Sequence, residues 1–254
     1  MKLKNKKSRK KWLFVGIILT IIAISIFAVF SWKNQKPKPT FNTKNTTKNK
    51  SFLKTAGFNK TKYSIDEPGS IWWIVNKNRP AGENYIPPDL ITPSVTLNPQ
   101  KSHDENQVRK ELNEPLQHLF NDAYKESIKL MLASGYRSYQ LQNTYYSNYV
   151  RTSGEVEANR YSAKPGTSEH QTGLAFDVAT VDRIHYLDQT FGEDPAGKWV
   201  AENAYKYGFI VRYPENKEAI TGYMYEPWHL RYVGIDLAKE LYKTNQTMEE
   251  FFDL

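Results

Sequence analysis

Residues 12–32, "WLFVGIILTIIAISIFAVFSW", run for 21 positions without a charged side chain. No other stretch of the 254-residue chain restricts its folding so severely. A run of this length matches one helical crossing of a bilayer core roughly 30 Å thick. Trp12 and Trp32 stand at its two ends, where indoles favour the membrane–water interface. Seven Lys and Arg residues precede it within residues 2–11, which orients residues 1–11 toward the cytoplasm. A cleaved signal peptide is the alternative, although its apolar region is usually shorter. The small-x-small pair Ala23 and Ser25 also falls inside the run rather than after it. The expectation is an uncleaved single-pass anchor with the bulk of the chain outside the membrane.

The charges divide at the same place. Of the 35 Lys and Arg residues, 16 lie in residues 1–62, which contain no Asp or Glu. Residues 63–254 therefore carry 19 basic against all 27 acidic residues, a net of −8. The overall +8 belongs to the tail, and an acidic domain excludes nucleic acid as the expected partner. Residues 33–62 are rich in Lys, Asn and Thr and too poor in apolar residues to bury a core, so they read as a flexible linker. There is no cysteine, hence no disulfide and no thiolate ligand or nucleophile.

A folded domain is expected over 63–254. "IWWIV" (71–75) reads as a strand and the proline-bearing "YIPPDLITP" as extended or turning chain. Asn113-Glu114-Pro115 followed by Leu116, Leu119, Phe120, Ala123, Tyr124, Ile128 and Met131 predicts an amphipathic helix. A second helix is expected over about 139–151, and a third from Asp194-Pro195 to Gly208. "FIVRY" (209–213) and "HLRYV" (229–233) read as strands joined by a polar loop, and Thr247 to Glu250 as a capping box opening a terminal helix. Without a strict βαβ rhythm the expected class is α+β, a central antiparallel sheet flanked by helices.

Two segments carry the chemistry. In "SEHQTGLAFDVAT" (168–180) a carboxylate, Asp177, interrupts an apolar strand, and His170 stands seven residues before it. In "EPWHLRYV" Glu226 precedes His229 by three, and Pro227 argues against a helix. The remaining histidines, His103, His118 and His185, lack a carboxylate in a telling pattern and read as surface residues. Hydrolytic zinc sites use three protein ligands, an open position for water, and a nearby base. Two imidazoles and two carboxylates satisfy that count. A buried His–Asp pair with a solvated Glu226 satisfies the same spacing.

The ordered set of motifs resembles the zinc D-Ala carboxypeptidases of the VanY type, within the wider group of lysostaphin-like and hedgehog-like zinc folds. "SEHQTGLAFD" resembles the family's S-x-H-x-x-G-x-A-x-D signature and "EPWH" its E-x-W-H signature. "SGYRS" (134–138) matches a third, upstream motif, and "IVNKNRP…YIPPDL" near 74–90 is similar to the entry segment. The resemblance covers roughly residues 70–240. It implies that the sheet carries a zinc site with His170, Asp177 and His229 as ligands. It makes Glu226 the general base and later the proton donor to the leaving amine, and Arg137 the catalytic and substrate-facing cation. It puts Ser168 and Gln142 at polar substrate contacts. The implied reaction removes the terminal D-Ala from peptidoglycan stem peptides, by L,D cleavage of a tetrapeptide or D,D cleavage of a pentapeptide. An endopeptidase and a non-catalytic wall-binding module are the alternatives. The expected setting is a monomer tethered to the outer face of a cell membrane, with a Gram-positive surface as the suggested context.

Overall fold

The computed structural model describes residues 59–254. The expected anchor, 12–32, and the expected linker up to residue 58 lie outside the described residues. Among the described residues no helix is long and apolar enough to cross a membrane.

Chain order is as follows. Two short strands, β1 (Leu90–Ile91) and β2 (Val108–Arg109), pair antiparallel and precede helix α1 (Asn113–Lys125). Strand β3 (Leu130–Ser134) leads into helices α2 (Tyr139–Ser153) and α3 (Glu155–Tyr161). Strand β4 (Ala175–Thr180), helix α4 (Pro195–Asn203) and strand β5 (Phe209–Tyr213) follow. The one-turn helix α5 (Glu218–Thr221), strand β6 (Glu226–Tyr232) and helices α6 (Ile235–Thr244) and α7 (Met248–Phe252) complete the domain. The main sheet has the order β3-β4-β6-β5, and every neighbouring pair is antiparallel. The class is α+β with helices flanking antiparallel sheets.

The two faces of the main sheet differ in kind. Side chains alternate across a strand, and Phe176 and Val178 of β4, Phe209 of β5 and Leu230 of β6 join one apolar cluster. Leu116, Leu119 and Phe120 of α1 and Val200 of α4 close that cluster from the helical side. Each fully buried Leu or Phe there stabilises the fold by about 1.5–3 kcal/mol. The intervening residues Asp177, Arg212, His229 and Arg231 face the other way, and all four are buried. That second face is covered in part by a separate apolar cluster, in which Ile210 and Val233 meet Leu237 and Leu241 of α6 and Met248 and Phe251 of α7.

Several expectations need correction. Residues 71–75 are not a strand. Their carbonyls are taken by side chains: Arg231 donates to Ile71 O and Trp73 O, and Arg79 to Ile74 O. Guanidinium donors here replace a neighbouring strand. Helix α1 stops at Lys125, where Ser127 adopts φ +64°, so Ile128 and Met131 lie beyond the helix and Met131 belongs to β3. The helical spacing of those two apolar residues is accidental. Strand β6 starts at Glu226 rather than His229, and the loop before it contains α5. The third helix runs Pro195–Asn203, continues as a tighter turn to Tyr207 and ends at Gly208 with φ +87°, as read from the sequence. The capping box is present, with Thr247 Oγ1 accepting from Glu250 N and the Glu250 carboxylate accepting from Thr247 N.

Candidate metal centre

Asp177 and His229 are register partners across β4 and β6, so both side chains leave the sheet on the same face. His170 reaches that face from a 3-10 turn, Glu169–Thr172, just before β4. Thr172 ties the turn by donating to Glu169 O and accepting from Leu174 N. Gly173 then reverses the chain at φ +66°, where an added Cβ would meet Arg109 and Leu90 at 3.0 Å. The glycine of the motif is thus favoured by backbone sign, and a side chain there would also push Arg109 and Leu90 aside.

Glu226 presents a parity problem. Residues three apart on a regular strand point to opposite faces, yet Glu226 Oε2 lies 3.8 Å from His229 Nδ1. The ladder between β5 and β6 shifts register between Val211 and Tyr213, opposite this end of β6. A shift of that kind re-aims a side chain, and it delivers the Glu226 carboxylate to the same buried site.

Asp177 is the hub. Its Oδ2 stands 3.5 Å from His170 Nε2 and its Oδ1 3.2 Å from His229 Nδ1. The two imidazole rings meet edge to face with centroids 4.8 Å apart. His170 Nδ1 lies 2.7 Å from Gly135 O, an acceptor only, so this nitrogen carries the proton and Nε2 keeps its lone pair. One donor atom from each of His170, Asp177 and His229 lies within 4.8 Å of the other two, and all three residues are buried. Tetrahedral zinc with bonds of about 2.0–2.1 Å separates its ligand atoms by roughly 3.3 Å. The Asp177 carboxylate stands near that distance from both imidazoles, through Oδ2 to His170 and through Oδ1 to His229. Two imidazoles and a carboxylate are also a donor set that suits zinc, so the residues fit the ion.

Arg137, four residues past the apolar part of β3, is fixed from several sides. Its Nη1 donates to Gln142 Oε1 at 2.9 Å and its Nη2 to Ser134 Oγ at 3.2 Å. Its guanidinium sits 5.2 Å from the Tyr145 ring centroid and 3.8 Å from Asp177 Oδ2. Its buried Nε makes no hydrogen bond. Arg137, Ser168, His170, Asp177, Glu226 and His229 all line one cavity of about 510 Å³. Gln142 does not line it. Gln142 is buried behind Arg137, with its amide nitrogen donating to Ala163 O at 2.6 Å. The structure thus brings six of the seven expected site residues to the cavity and puts the seventh behind Arg137. His103, His118 and His185 are exposed.

Electrostatics reflect this crowding. Burial pushes the Glu226 carboxyl up to about 8, aided by the nearby Asp177 charge and opposed by His229. Burial and the Arg137 cation bring His170 down to about 4, against the pull of Asp177. Burial also disfavours a charge on His229, but the adjacent carboxylates of Asp177, Glu169 and Glu226 outweigh it and raise the ring to about 9. Burial works against the Asp177 carboxylate, yet the adjacent imidazoles hold it well below the usual range.

Sequence reasoning missed the layer beneath. Glu169 is fully buried, and its Oε1 accepts from Arg212 Nε at 2.8 Å and Arg231 Nη1 at 2.9 Å. Arg212 is also held by both Glu249 oxygens, at 2.8 and 2.6 Å. Burial would raise the Glu169 carboxyl, but the two guanidiniums keep it far below its ordinary value. The available signal was a charge inside each apolar strand, Arg212 in "FIVRY" and Arg231 in "HLRYV".

Comparison with known proteins agrees with this geometry. Residues 105–235 match the VanY family, described as D-alanyl-D-alanine carboxypeptidase. A Bacillus subtilis (strain 168) protein with the provisional name carboxypeptidase YodJ is 42% identical over 227 residues, spanning 87% of this chain and 83% of that protein. The solved LdcB LD-carboxypeptidase aligns with a TM-score of 0.69 at 46% identity, over 73% of this chain and 87% of that one. The D,D-pentapeptidase VanY of a VanB-type vancomycin resistance cassette, solved in complex with Zn(II), aligns with a TM-score of 0.56 at 34% identity, over 70% and 97%. The chain belongs to the VanY D-alanyl-D-alanine carboxypeptidase family.

Proposed function

We propose that this chain is a zinc-dependent carboxypeptidase that removes the terminal D-Ala from peptidoglycan stem peptides. The observation that carries this reading is the convergence of His170, Asp177 and His229 on one buried point, with Glu226 at 3.8 Å from His229 in the same cavity. His170 through Nε2, His229 through Nδ1 and Asp177 through a carboxylate oxygen would hold the ion. Zinc, when bound there, polarises the scissile carbonyl and acidifies a water at neutral pH.

The rest of the work falls to the chain. Glu226 takes the proton of the attacking water and returns it to the leaving amine of D-Ala. Burial and the neighbouring Asp177 charge favour the protonated carboxyl, and the positive charge of a bound ion would favour the carboxylate that accepts the proton. Arg137 is locked by Gln142 and Ser134, so its charge is oriented before substrate arrives. It faces either the substrate's terminal carboxylate or the oxygen that becomes negative on attack. Gln142 serves the site through Arg137, and Ser168 supplies a hydroxyl on the cavity wall. No covalent acyl-enzyme is required, so acylating β-lactams leave the activity intact and chelators abolish it.

The preferred substrate is the tetrapeptide, cleaved at its L,D bond, since identity to the LD-carboxypeptidase LdcB is 46% against 34% for the D,D-pentapeptidase. The chain acts from the outer face of the membrane, tethered by residues 12–32; their uncharged run and the cationic residues before it support this. The test is digestion of purified tetra- and pentapeptide muropeptides by the full-length chain, read by mass spectrometry. Loss of one alanine from tetrapeptide, slowed by about 10²–10⁴ in Glu226→Gln, is the expected result. Alanine loss from pentapeptide alone reverses the bond preference. No loss from either substrate by zinc-loaded protein sinks the carboxypeptidase reading.

A further inference from the structure

His229 has two nitrogens in different surroundings. Nδ1 faces Asp177 Oδ1 at 3.2 Å and Glu226 Oε2 at 3.8 Å, on the cavity side. Nε2 points the other way, 3.7 Å from Glu169 Oε2. Both Nε2 and Oε2 are buried, and neither makes a hydrogen bond. A buried polar atom left without a partner costs about 1–3 kcal/mol. Two such atoms facing each other can both be satisfied by an approach of less than about 1 Å.

The carboxylate has little freedom to do anything else. Its Oε1 is pinned by Arg212 and Arg231, whose side chains are fully buried. Arg212 is anchored in turn by Glu249 of α7, and Arg231 by the carbonyls of Ile71 and Trp73. Oε2 is the one acceptor this assembly leaves over, and it is aimed at His229. The ring is equally confined, because Tyr213 packs on it with centroids 4.9 Å apart and planes tilted by 32°. Turning the ring over would set Cδ2–H against Asp177 and Cε1–H against Glu169, and would leave Oε2 buried without a donor.

We infer that Glu169 is the positioning residue of the centre: its Oε2 accepts the Nε2–H of His229 and so reserves Nδ1 for the metal. Which nitrogen of an imidazole binds a metal is decided by the bond the other one makes, and a carboxylate behind it fixes both tautomer and ring orientation. His170 uses the same device with a different acceptor, since Gly135 O takes its Nδ1–H and frees Nε2. The two histidines therefore present opposite nitrogens, one backed by a carbonyl and one by a carboxylate. This assignment rests on the reading of His229 as a zinc ligand.

The competing account gives Glu169 a purely structural role, neutralising Arg212 and Arg231. Zinc affinity of the full-length chain in detergent, measured against a chromophoric chelator, separates the two. Glu169→Gln is expected to weaken zinc binding about 10–100-fold. Glu249→Gln disturbs Arg212 but leaves Arg231 on Glu169 Oε1 and touches no atom of His229, so it is expected to lower the melting temperature and to weaken zinc binding at least about fivefold less than Glu169→Gln does. An unchanged affinity in Glu169→Gln, or equal losses in both variants, overturns the inference. Should Glu169→Gln fail to fold, the wild-type chain with ¹⁵N-labelled histidine decides. In the zinc-loaded state His229 must show a coordinated Nδ1 and a slowly exchanging Nε2–H; coordination through Nε2 refutes the assignment. A wild-type chain that binds no zinc overturns the metal reading itself, and this inference with it.

Discussion

Gly135 lies in the "SGYRS" motif, and an alanine there perturbs fold and site through one atom. An added Cβ would stand 2.2 Å from the backbone oxygen of Gln107, where ordinary contact begins near 3.4 Å, so the two backbones must part by roughly 1.2 Å. No flexible side chain can yield instead, because the next atoms met are Gln107 C and Glu105 O, both main chain. These segments are joined by hydrogen bonds from Gly135 N to Glu105 O and from Tyr136 N to Gln107 O. Overpacking costs about 1–3 kcal/mol and each weakened hydrogen bond about 0.5–1.5 kcal/mol, so a loss of about 3 kcal/mol is expected. For a domain of this size that lowers the melting temperature by about 6–12 °C. Gly135 O is also the acceptor that orients His170, so its displacement should weaken zinc binding about 10–100-fold. Thermal unfolding and zinc titration of Gly135→Ala test both parts, with Gly154→Ala as comparator. Gly154 has φ +81° and ψ 158°, a backbone region essentially restricted to glycine, with open space around it, so its alanine carries a backbone cost of about 1–3 kcal/mol and no clash. A Gly135→Ala chain that melts no lower than Gly154→Ala and binds zinc normally would refute the steric argument.

Two further outcomes are expected. Thr247→Ala removes the Oγ1 acceptor of the capping box on α7 and should cost about 1 kcal/mol, seen as a drop of about 2–4 °C in melting temperature with zinc affinity unchanged. Zinc binding at pH 7 should release at least about one proton, because His229 is held protonated up to about 9 and Glu226 up to about 8, whereas His170, at about 4, is already neutral. Affinity therefore rises with pH across the window from about 4 to 9 and levels off above it. Calorimetry in buffers of different ionisation enthalpy reads the release directly, and a binding heat independent of buffer would refute it.

The residues that converge on the cavity were legible because their pattern is written locally. Asp177 inside an apolar run and His229 three residues after Glu226 are anomalies of pattern, and the pairing of β4 with β6 turns two local anomalies into one site. The helix ends were legible for the same reason: Pro195 and Gly208 bound one helix, and Thr247 and Glu250 start another. The failures came where tertiary partners overrode local preference. "IWWIV" has strand composition, but its carbonyls are satisfied by Arg231 and Arg79 from distant parts of the chain, which no short-range pattern records. Ile128 and Met131 continue the apolar spacing of α1 in sequence, but Ser127 has already turned the chain before either is reached. The contact of Gln142 with Arg137 was not legible either, because it depends on which way one buried amide points.

The arginines of β5 and β6 raise the same question as Asp177, and the answer joins them. A buried ion pair is weak evidence for stability, since apolar residues of similar volume often serve as well. Arg212 and Arg231 are thus better explained by what they hold than by the energy they add. Between them they fix one oxygen of Glu169 and leave the other facing His229. Glu249 completes the charge balance of the pair and ties α7 into the same layer. The apolar face of the sheet meets α1 and α4, and the buried charged face supports the residues of the cavity. Alternation along β4, β5 and β6 is what allows both at once: Phe176, Phe209 and Leu230 go to the core, while Asp177, Arg212, His229 and Arg231 face the site and its supports.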